Sequence, residues 1–437
     1  MNLKQTAHEI FFEALRAVLP EAMIREALKI EGNELIVGDR RYGQEPGRKL
    51  FVFGSGKASA GMAKAVTEIL GDRVAGGLVV SSYEAELDRI DVVVGAHPVP
   101  DARSVHAAER LMSALSGLSE EDFFIYLLSG GSSALIEKPI SPLTLQDLQE
   151  MSRMLLAAGV PIDEMNAVRK HLSLVKGGRL GAMTKARGVV LVLSDVIGDD
   201  LETIGSAPLY KDRSTIEDVR DILARYGLWE KAPAALRVLM EQGPAGKMEE
   251  TPKAANPGID HVVVGSNRKA LRRAKEKALS LGLEAHLVTD RLKGEAREAA
   301  KSIVAMGRKF LASRMPEQPP LCLLFGGETT VTLRGNGKGG RNQELCLAAL
   351  REIRDQGGLL LLCAGTDGID GSSEAAGALV DASVWTRARE MNLSLDDFLD
   401  RNDSSSFLER TGGVIVTGPT GTNVMDISIL LVGGNES

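Results

Sequence analysis

The chain has 437 residues, of which 44% are hydrophobic, 25% are charged and 4% are aromatic, and its formal net charge is −7. This acidic balance and the scarcity of aromatic rings argue against a nucleic-acid-binding surface, which needs basic side chains and stacking platforms. No apolar run approaches the ~20 residues of a membrane span, and the acidic, amphipathic N-terminus is unlike a signal peptide. We therefore expect a cytoplasmic protein of two or three domains.

The first half of the chain alternates short apolar runs with helical patterns. A helix is predicted over residues 3–19, and the strand-like runs are LFVFG, GGLVVSS, DVVVG, FFIYLL and GVVLVL. Nearly continuous Val, Ile, Leu and Phe are typical of parallel strands that are covered on both faces. Residues 1–242 are therefore predicted to form an N-terminal, doubly wound, Rossmann-like α/β domain.

The second half is predicted to be a C-terminal α/β domain, residues 258–437, joined through a Gly- and Pro-rich linker at 243–257. Its strands are expected at 261–264, 284–288, 321–325, 359–363, 414–417 and 428–432. Gly326-Gly327 lies between two apolar stretches and suggests a hairpin, and hence a mixed sheet. Three cysteines, Cys322, Cys346 and Cys363, lie in apolar runs without CxxC spacing and are predicted to be reduced core thiols.

Glycine-rich loops follow several predicted strands, which is where open α/β sheets bind their ligands. Small residues let backbone N–H groups approach an anion closely. We therefore predict that two loops bind the phosphates of a nucleotide. Their residues are Gly130, Gly131, Ser132, Ser133, Gly326, Gly327 and Glu328.

The segment FVFGSGKASAGMAK, residues 51–64, resembles two known phosphate loops and matches neither. A P-loop needs G-x-x-x-x-G-K-[ST], but Phe51 occupies the first glycine position and Ala58 follows Lys57. A dinucleotide fingerprint needs G-x-G-x-x-G, but Ser59 occupies its last position. The loop is therefore either a plain βα turn or a basic ligand site of another kind.

A second basic loop lies in residues 333–350, where glycines surround Arg334, Lys338 and Arg341 before the chain enters a predicted helix near Asn342. A cation at this position would meet an anion where the helix dipole also favours negative charge. The alternative is a solvated, charged turn.

Two aspartates follow buried strands. Asp195 comes after VVLVL and Asp367 after LLLLCAG, positions from which a carboxylate can hold Mg²⁺ or a substrate hydroxyl. The alternative is an Asx-turn or a helix cap. Supporting or capping roles are expected for Asp199, Asp200, Asp370 and Glu374.

Taken together, several strings resemble the glycerate 2-kinase family, whose C-terminal half is the MOFRL domain. They are GSGKAS, HPVPD, LLSGGSSAL, NAVRKHLSLVKGGRL, LSDVIGDDLETIGSAP, GGETTVTLRGNGKGGRNQE, AGTDGIDGSSEAAGALVD and GPTGTNVMDI. The resemblance implies ATP-dependent phosphorylation of D-glycerate at its 2-hydroxyl, giving 2-phosphoglycerate, in a cleft between two domains. It also implies key roles for Lys57 and Arg341.

On this interpretation Lys57, Arg341 and Asp195 are catalytic, and Asp195 and Asp367 hold Mg²⁺. Substrate binding is expected of Ser55, Arg169 and Lys170, and a homodimer is compatible with the sequence. Some relatives carry a hydroxypyruvate reductase label, so an NAD(P)H-dependent reductase is the alternative, although the dinucleotide fingerprint is missing. A non-catalytic nucleotide-sensing module is a third hypothesis.

Overall fold

The computed structural model describes residues 2–45, 47–241, 248–315, 317–354 and 356–433. Its strands, in chain order, are β1 Leu28–Glu31, β2 Glu34–Val37, β3 Arg40–Gly43, β4 Leu50–Ser55, β5 Val74–Ser81, β6 Ile90–Val94, β7 Phe123–Leu128, β8 Arg187–Leu193, β9 Ile259–Gly265, β10 Glu284–Leu292, β11 Leu321–Gly327, β12 Leu359–Gly365, β13 Gly377–Val380, β14 Val414–Ile415 and β15 Asp426–Val432.

The α-helices of the described residues are α1 Leu3–Arg16, α2 Pro20–Ala27, α3 Ser59–Leu70, α4 Ala102–Ser116, α5 Ser132–Leu135, α6 Leu145–Ala157, α7 Ile162–His171, α8 Arg179–Ala182, α9 Ile216–Arg225, α10 Ala234–Glu241, α11 Asn267–Ser280, α12 Ala296–Ser313, α13 Arg341–Ile353, α14 Ala382–Glu390, α15 Leu395–Asp400 and α16 Ser404–Thr411. Short 3₁₀ turns occur at Gly71–Arg73, Ile204–Ser206 and Trp229–Lys231. None of these helices is long and apolar enough to cross a membrane.

The first large sheet has the strand order β6-β5-β4-β7-β8-β9. The pairs from β6 through β8 are all parallel. The chain runs outward from β4 to β6 and then returns to the other side of β4 at β7, so the strand order reverses between β4 and β7. This is the doubly wound arrangement that the sequence predicts, and its switch point lies between the carboxyl ends of β4 and β7.

The second large sheet has the order β10-β11-β15-β12-β13-β14. Only the β10–β11 pair is parallel, whereas the remaining neighbours are antiparallel. The predicted mixed sheet is confirmed, but the predicted hairpin at Gly326-Gly327 is wrong. Both glycines lie inside β11, which is followed by the helix α13 rather than by a returning strand.

Contacts between Cα atoms divide the chain into two compact units. One comprises Met23–Ser194 and Asp199–Val264, and the other comprises Met1–Ala22, Asp195–Gly198 and Gly265–Ser437. We call them the N-unit and the C-unit. The predicted strand at 261–264 exists as β9, but it completes the first sheet. The helix α1 belongs to the C-unit and packs against α11, where Lys277 and Glu9 form a 3.2 Å ion pair.

Part of the predicted linker, residues 242–247, lies outside the described residues. The rest is not a free tether. Met248 packs into an apolar cluster of the N-unit, and the hydroxyl of Thr251 donates a 3.0 Å hydrogen bond to buried Asp212. The sequence also gave no sign of the small antiparallel sheet β1-β2-β3.

Each unit has its own apolar core. In the N-unit a cluster of helical side chains joins α6, α7, α9 and α10. In the C-unit α12 and α13 pack on the strands of the mixed sheet. All three cysteines are buried and carry free thiols, as predicted.

Candidate functional site

Two loops interlock at the switch point of the first sheet. The Lys57 N–H donates to the Gly130 carbonyl at 2.9 Å, and the Ala58 N–H donates to Ser129 Oγ at 3.0 Å. Gly56 has a φ of 134°, and a Cβ placed on it would lie 2.1 Å from Ser129 Oγ. Glycine is therefore required at this position, because the loop after β4 runs directly against the loop after β7.

A buried chain of hydroxyls lies beneath these loops. Ser55 Oγ is 2.6 Å from both Tyr126 OH and Ser132 Oγ, and Ser206 Oγ donates to Ser133 Oγ at 2.9 Å. Ser55 and Ser132 are fully buried. These side chains connect the two loops beneath their surface. Ser55 was predicted to bind substrate, but its buried hydroxyl is not placed to contact a substrate directly.

Lys57 is exposed at this switch point, and no described residue forms a hydrogen bond or ion pair with its ammonium group. Its side chain passes over Gly131, which has a φ of 84° and is also approached by the ring of His97. Partial burial, together with the nearby charge of Lys57, lowers the pKa of His97. Lys57 thus presents a cation beside a glycine turn, with a neighbouring imidazole that tends to stay neutral.

Three basic side chains of α7 and α8 differ in what they contact. Lys170 is buried and forms a 3.1 Å ion pair with Asp212, and Arg179 donates to the carbonyls of Lys170 and Ser173. Arg169 instead lines a cavity of about 590 Å³ that Gly131 also lines. Of the two basic residues predicted to bind substrate, Lys170 is held in an internal ion pair and Arg169 lines open space.

In the C-unit, α13 begins directly after the basic glycine loop. Asp370 caps it, since its carboxylate accepts from the Asn342 N–H at 3.0 Å and from the Gln343 N–H at 2.8 Å. Burial raises the pKa of Asp370 to about 6, although the two backbone donors oppose this shift. The capping role expected for Asp370 is confirmed.

Arg341, the first residue of α13, is held by two carboxylates. Its Nε and Nη2 donate to Asp426 Oδ2 at 2.5 Å and Oδ1 at 2.9 Å, and its Nη1 lies 2.9 Å from Glu328 Oε1. This fork-to-fork geometry fixes the plane of the guanidinium group. Asp426 is the first residue of β15 and is not among the predicted site residues.

The predicted acidic residues converge on this arginine. The pKa of Glu328 is raised by burial and by the charges of Asp426, Asp195 and Asp367, while Arg341 opposes the shift. The structure therefore brings Arg341, Glu328, Asp195 and Asp367 into one electrostatic neighbourhood. No cluster of three or more His, Cys, Asp or Glu side chains arranged to hold a metal ion occurs within the described ranges.

Gly326 and Gly327 are in β11 and pair with Ile427 and Asp426 of β15. A Cβ on Gly326 would lie 1.8 Å from Asn267 Oδ1, and one on Gly327 would lie 2.2 Å from the Leu292 carbonyl. Close packing of the chain explains both glycines, so they do not form the open phosphate loop that was predicted.

Comparison with known proteins supports the predicted family. Residues 6–241 match a domain of unknown function, DUF4147, and residues 321–426 match the MOFRL family. A protein of Pyrococcus horikoshii named glycerate 2-kinase is 39% identical over 435 residues, covering 99% of this chain and 98% of the relative. The chain belongs to the glycerate 2-kinase family.

A solved structure agrees with this family assignment. The crystal structure of a glycerate kinase from Thermotoga maritima matches with a TM-score of 0.88 and 36% identity, covering 98% of this chain and 99% of that one. Another relative, from Agrobacterium vitis, carries a hydroxypyruvate reductase name and is 38% identical over 89% of both chains. The family contains both labels, so the chemistry has to be argued from the residues of the site.

Proposed function

We propose that this protein transfers the terminal phosphoryl group of ATP to the 2-hydroxyl of D-glycerate, forming 2-phosphoglycerate and ADP. The observation that carries the proposal is the exposed, uncommitted ammonium of Lys57 at the switch point, beside the Gly130–Ser133 loop. An open α/β sheet binds its ligand at this point, and a cation there suits phosphate. The names of the relatives from Pyrococcus horikoshii and Thermotoga maritima support the same activity.

Phosphoryl transfer requires positioning and charge stabilisation more than covalent chemistry from the protein. The bond between the γ-phosphorus and its bridging oxygen breaks as the glycerate 2-oxygen bonds to phosphorus. The hydroxyl proton passes to the carboxylate of Asp195, and ADP leaves with the electron pair of the broken bond. In this proposal Lys57 and Arg341 balance the charge on the transferred group.

In this proposal Asp195 and Asp367 would hold Mg²⁺ once the nucleotide supplies the remaining oxygen ligands. Mg²⁺ prefers oxygen ligands and commonly takes one or two protein carboxylates together with phosphate oxygens and waters. The charges of Asp195 and Asp367 both act on Glu328, which supports placing these two aspartates as its ligands. When bound, Mg²⁺ would neutralise charge on the phosphate oxygens.

A reductase would need a dinucleotide site, and the loop after β4 is poorly suited to one. Ser59 stands where the fingerprint requires its last glycine, and its buried hydroxyl donates to the carbonyls of Gly56 and Val80 at 2.8 and 2.7 Å. The loop is thus closed by its own hydrogen bonds.

The test measures ADP release with D-glycerate, ATP and Mg²⁺, and NADH oxidation with hydroxypyruvate. We expect ADP release only, with kcat lowered about 10²–10³-fold by Lys57→Met and by Arg341→Ala. Lys64→Met on α3 and Arg334→Ala in the basic loop are matched controls, because both side chains are exposed. NADH oxidation without ADP release would refute the kinase proposal, and normal turnover in either test variant would remove that residue from the chemistry.

The cytoplasm as the compartment and a homodimer as the assembly also remain predictions. Size-exclusion chromatography with light scattering would test the assembly directly.

A further inference from the structure

A cavity of about 590 Å³ opens in the N-unit beside the Gly131 turn. Its walls are mostly apolar and come from α5, α6 and α7. The main wall residues are Ala134, Leu148, Met151, Leu155, Val168 and Leu172. A volume of this size lies within the range of pockets for drug-sized ligands, roughly 300–1,000 Å³, so it is far larger than a three-carbon acid needs.

Two large apolar side chains are exposed at the mouth of this cavity. Val99 is 59% exposed and Leu156 is 62% exposed, and both line the cavity. Large apolar side chains at the mouth of a concave site favour a ligand with an apolar face. The rim thus points to a ring system rather than to a small, charged acid.

Two polar side chains that line the cavity have hydrogen-bonding atoms without a partner among the described residues. Glu137 is 4% exposed and forms an ion pair with Lys176 through Oε2, but its Oε1 atom has no hydrogen-bond partner. A buried acceptor without a donor is costly, and Glu137 lines the cavity. The ligand is therefore expected to supply an N–H or O–H donor.

Arg169 is the second such group. It lines the cavity, none of the described side chains pairs with it, and burial lowers the pKa of its guanidinium, although nearby Glu137 opposes this shift. A half-buried, planar guanidinium suits the face of an aromatic ring. An apolar slot, a free acceptor and a planar cation together match a nucleobase with its ribose.

We propose that this cavity binds the adenosine part of ATP, with the phosphates leading out over Gly131 toward Lys57. The same cavity wall includes Gly131 and Ser133, and Lys57 passes over Gly131. The base therefore lies at one end of a continuous path and the cation at the other. This inference rests on the proposed function and assigns Arg169 to the nucleotide rather than to the glycerate carboxylate.

The test uses adenosine itself, measured by calorimetry, so that it does not depend on catalysis. Ala134→Leu narrows the cavity from α5, and we expect it to weaken adenosine binding about tenfold or more, or about 1.4 kcal/mol, because the longer side chain occupies space that the ligand needs. Ser152→Phe narrows it from α6 and should act alike. Ala114→Leu is the control, because Ala114 is also half-buried on a helix of the N-unit but lines a different cavity.

Steady-state kinetics then show whether the cavity affects the KM for ATP or the KM for glycerate. We expect Ala134→Leu and Arg169→Met to raise the KM for ATP and to leave the KM for glycerate unchanged. A raised KM for glycerate alone would overturn the adenosine assignment and return Arg169 to the acid. Normal adenosine and ATP binding in both cavity variants would also refute it while leaving the kinase proposal intact. Adenosine binding without glycerate phosphorylation would support the cavity and refute the kinase.

Discussion

The Arg341–Asp426 pair allows a quantitative test of how the C-unit holds its candidate cation. Asp426→Asn keeps the shape of the side chain but replaces one acceptor with an NH₂ donor. One of the two hydrogen bonds from Arg341, at 2.5 and 2.9 Å, must therefore be lost. Hydrogen bonds to charged groups contribute about 1.5–3 kcal/mol. Arg341 keeps Glu328 at 2.9 Å and is 28% exposed, so a freed donor can reach water.

These features place the expected loss of stability near the middle of the range, at about 2 kcal/mol. For a unit of this size the melting temperature should then fall by about 4–8 °C. Turnover should also fall, because the guanidinium is no longer held in one plane. The pKa of Glu328 should decrease, since the charge of Asp426 contributes to raising it.

Thermal and denaturant unfolding measure the stability loss, with Asp396→Asn as the control. Asp396 is 64% exposed and lies 3.5 Å from Arg351, so its loss should cost less than about 0.5 kcal/mol. If Asp426→Asn were no more destabilising than this control, the bidentate pair would not be what holds Arg341.

Three further changes follow from the same structure. Gly56→Ala should lower the free energy of unfolding by about 3 kcal/mol or more and impair activity, because the methyl group would collide with Ser129 at a positive φ. An unchanged melting curve would contradict the inference that the loops after β4 and β7 pack directly against each other. Asp212→Asn should destabilise the N-unit by about 3–5 kcal/mol, because it leaves Lys170 buried without its partner; denaturant unfolding measures this, and a loss below about 1 kcal/mol would count against it. Asp370 has a pKa raised to about 6, whereas an aspartate in an unfolded chain has a pKa near 4. Ionisation of Asp370 therefore lowers the stability of the native state above pH 6. This loss of stability disappears as the pH falls to 4. The wild type should therefore gain up to about 3 kcal/mol relative to Asp370→Asn between pH 7 and pH 4, and parallel unfolding curves at both pH values would refute the shift.

Much of the first sheet could be predicted because its strands are parallel. Each strand is buried on both faces, so it appears in the sequence as one apolar run followed by a glycine loop. Parallel strands also bring all their carboxyl ends to one edge. The loops after β4 and β7, with Lys57 and Ser129–Ser133, could therefore be expected to meet, and they do.

The second sheet was harder because most of its neighbours are antiparallel. The strand β15 runs opposite to β11 and β12, so its first residue, Asp426, lies opposite the last residues of those strands, Gly327 and Gly365. The rule that functional side chains follow the carboxyl ends of strands identifies Asp367, but it does not identify Asp426, which begins a strand. Strand direction is a tertiary property that the local pattern does not reveal.

Glycine content was also an ambiguous signal. In the basic loop, a Cβ on Gly335 or Gly337 would lie 2.4–2.6 Å from atoms of Arg401 and Asp403, so these glycines permit close packing of the chain. A backbone N–H of this segment is also used within the protein, since the Gly337 N–H donates a 2.9 Å hydrogen bond to the Arg401 carbonyl. A glycine needed for packing and one needed for a ligand look the same in sequence.

The two candidate cations have opposite electrostatic surroundings, and this difference constrains their roles. Lys57 has no carboxylate partner among the described residues, so it can receive a phosphate without first releasing another group. Arg341 is already balanced by Asp426 and Glu328, with further negative charge from the aspartates that act on Glu328. A triphosphate approaching Arg341 would meet an excess of negative charge unless a divalent cation offset it. On the proposed kinase function, Lys57 is the cation suited to initial phosphate binding. Arg341 would act on phosphate only where Asp195 and Asp367 held a divalent cation that supplied the compensating positive charge.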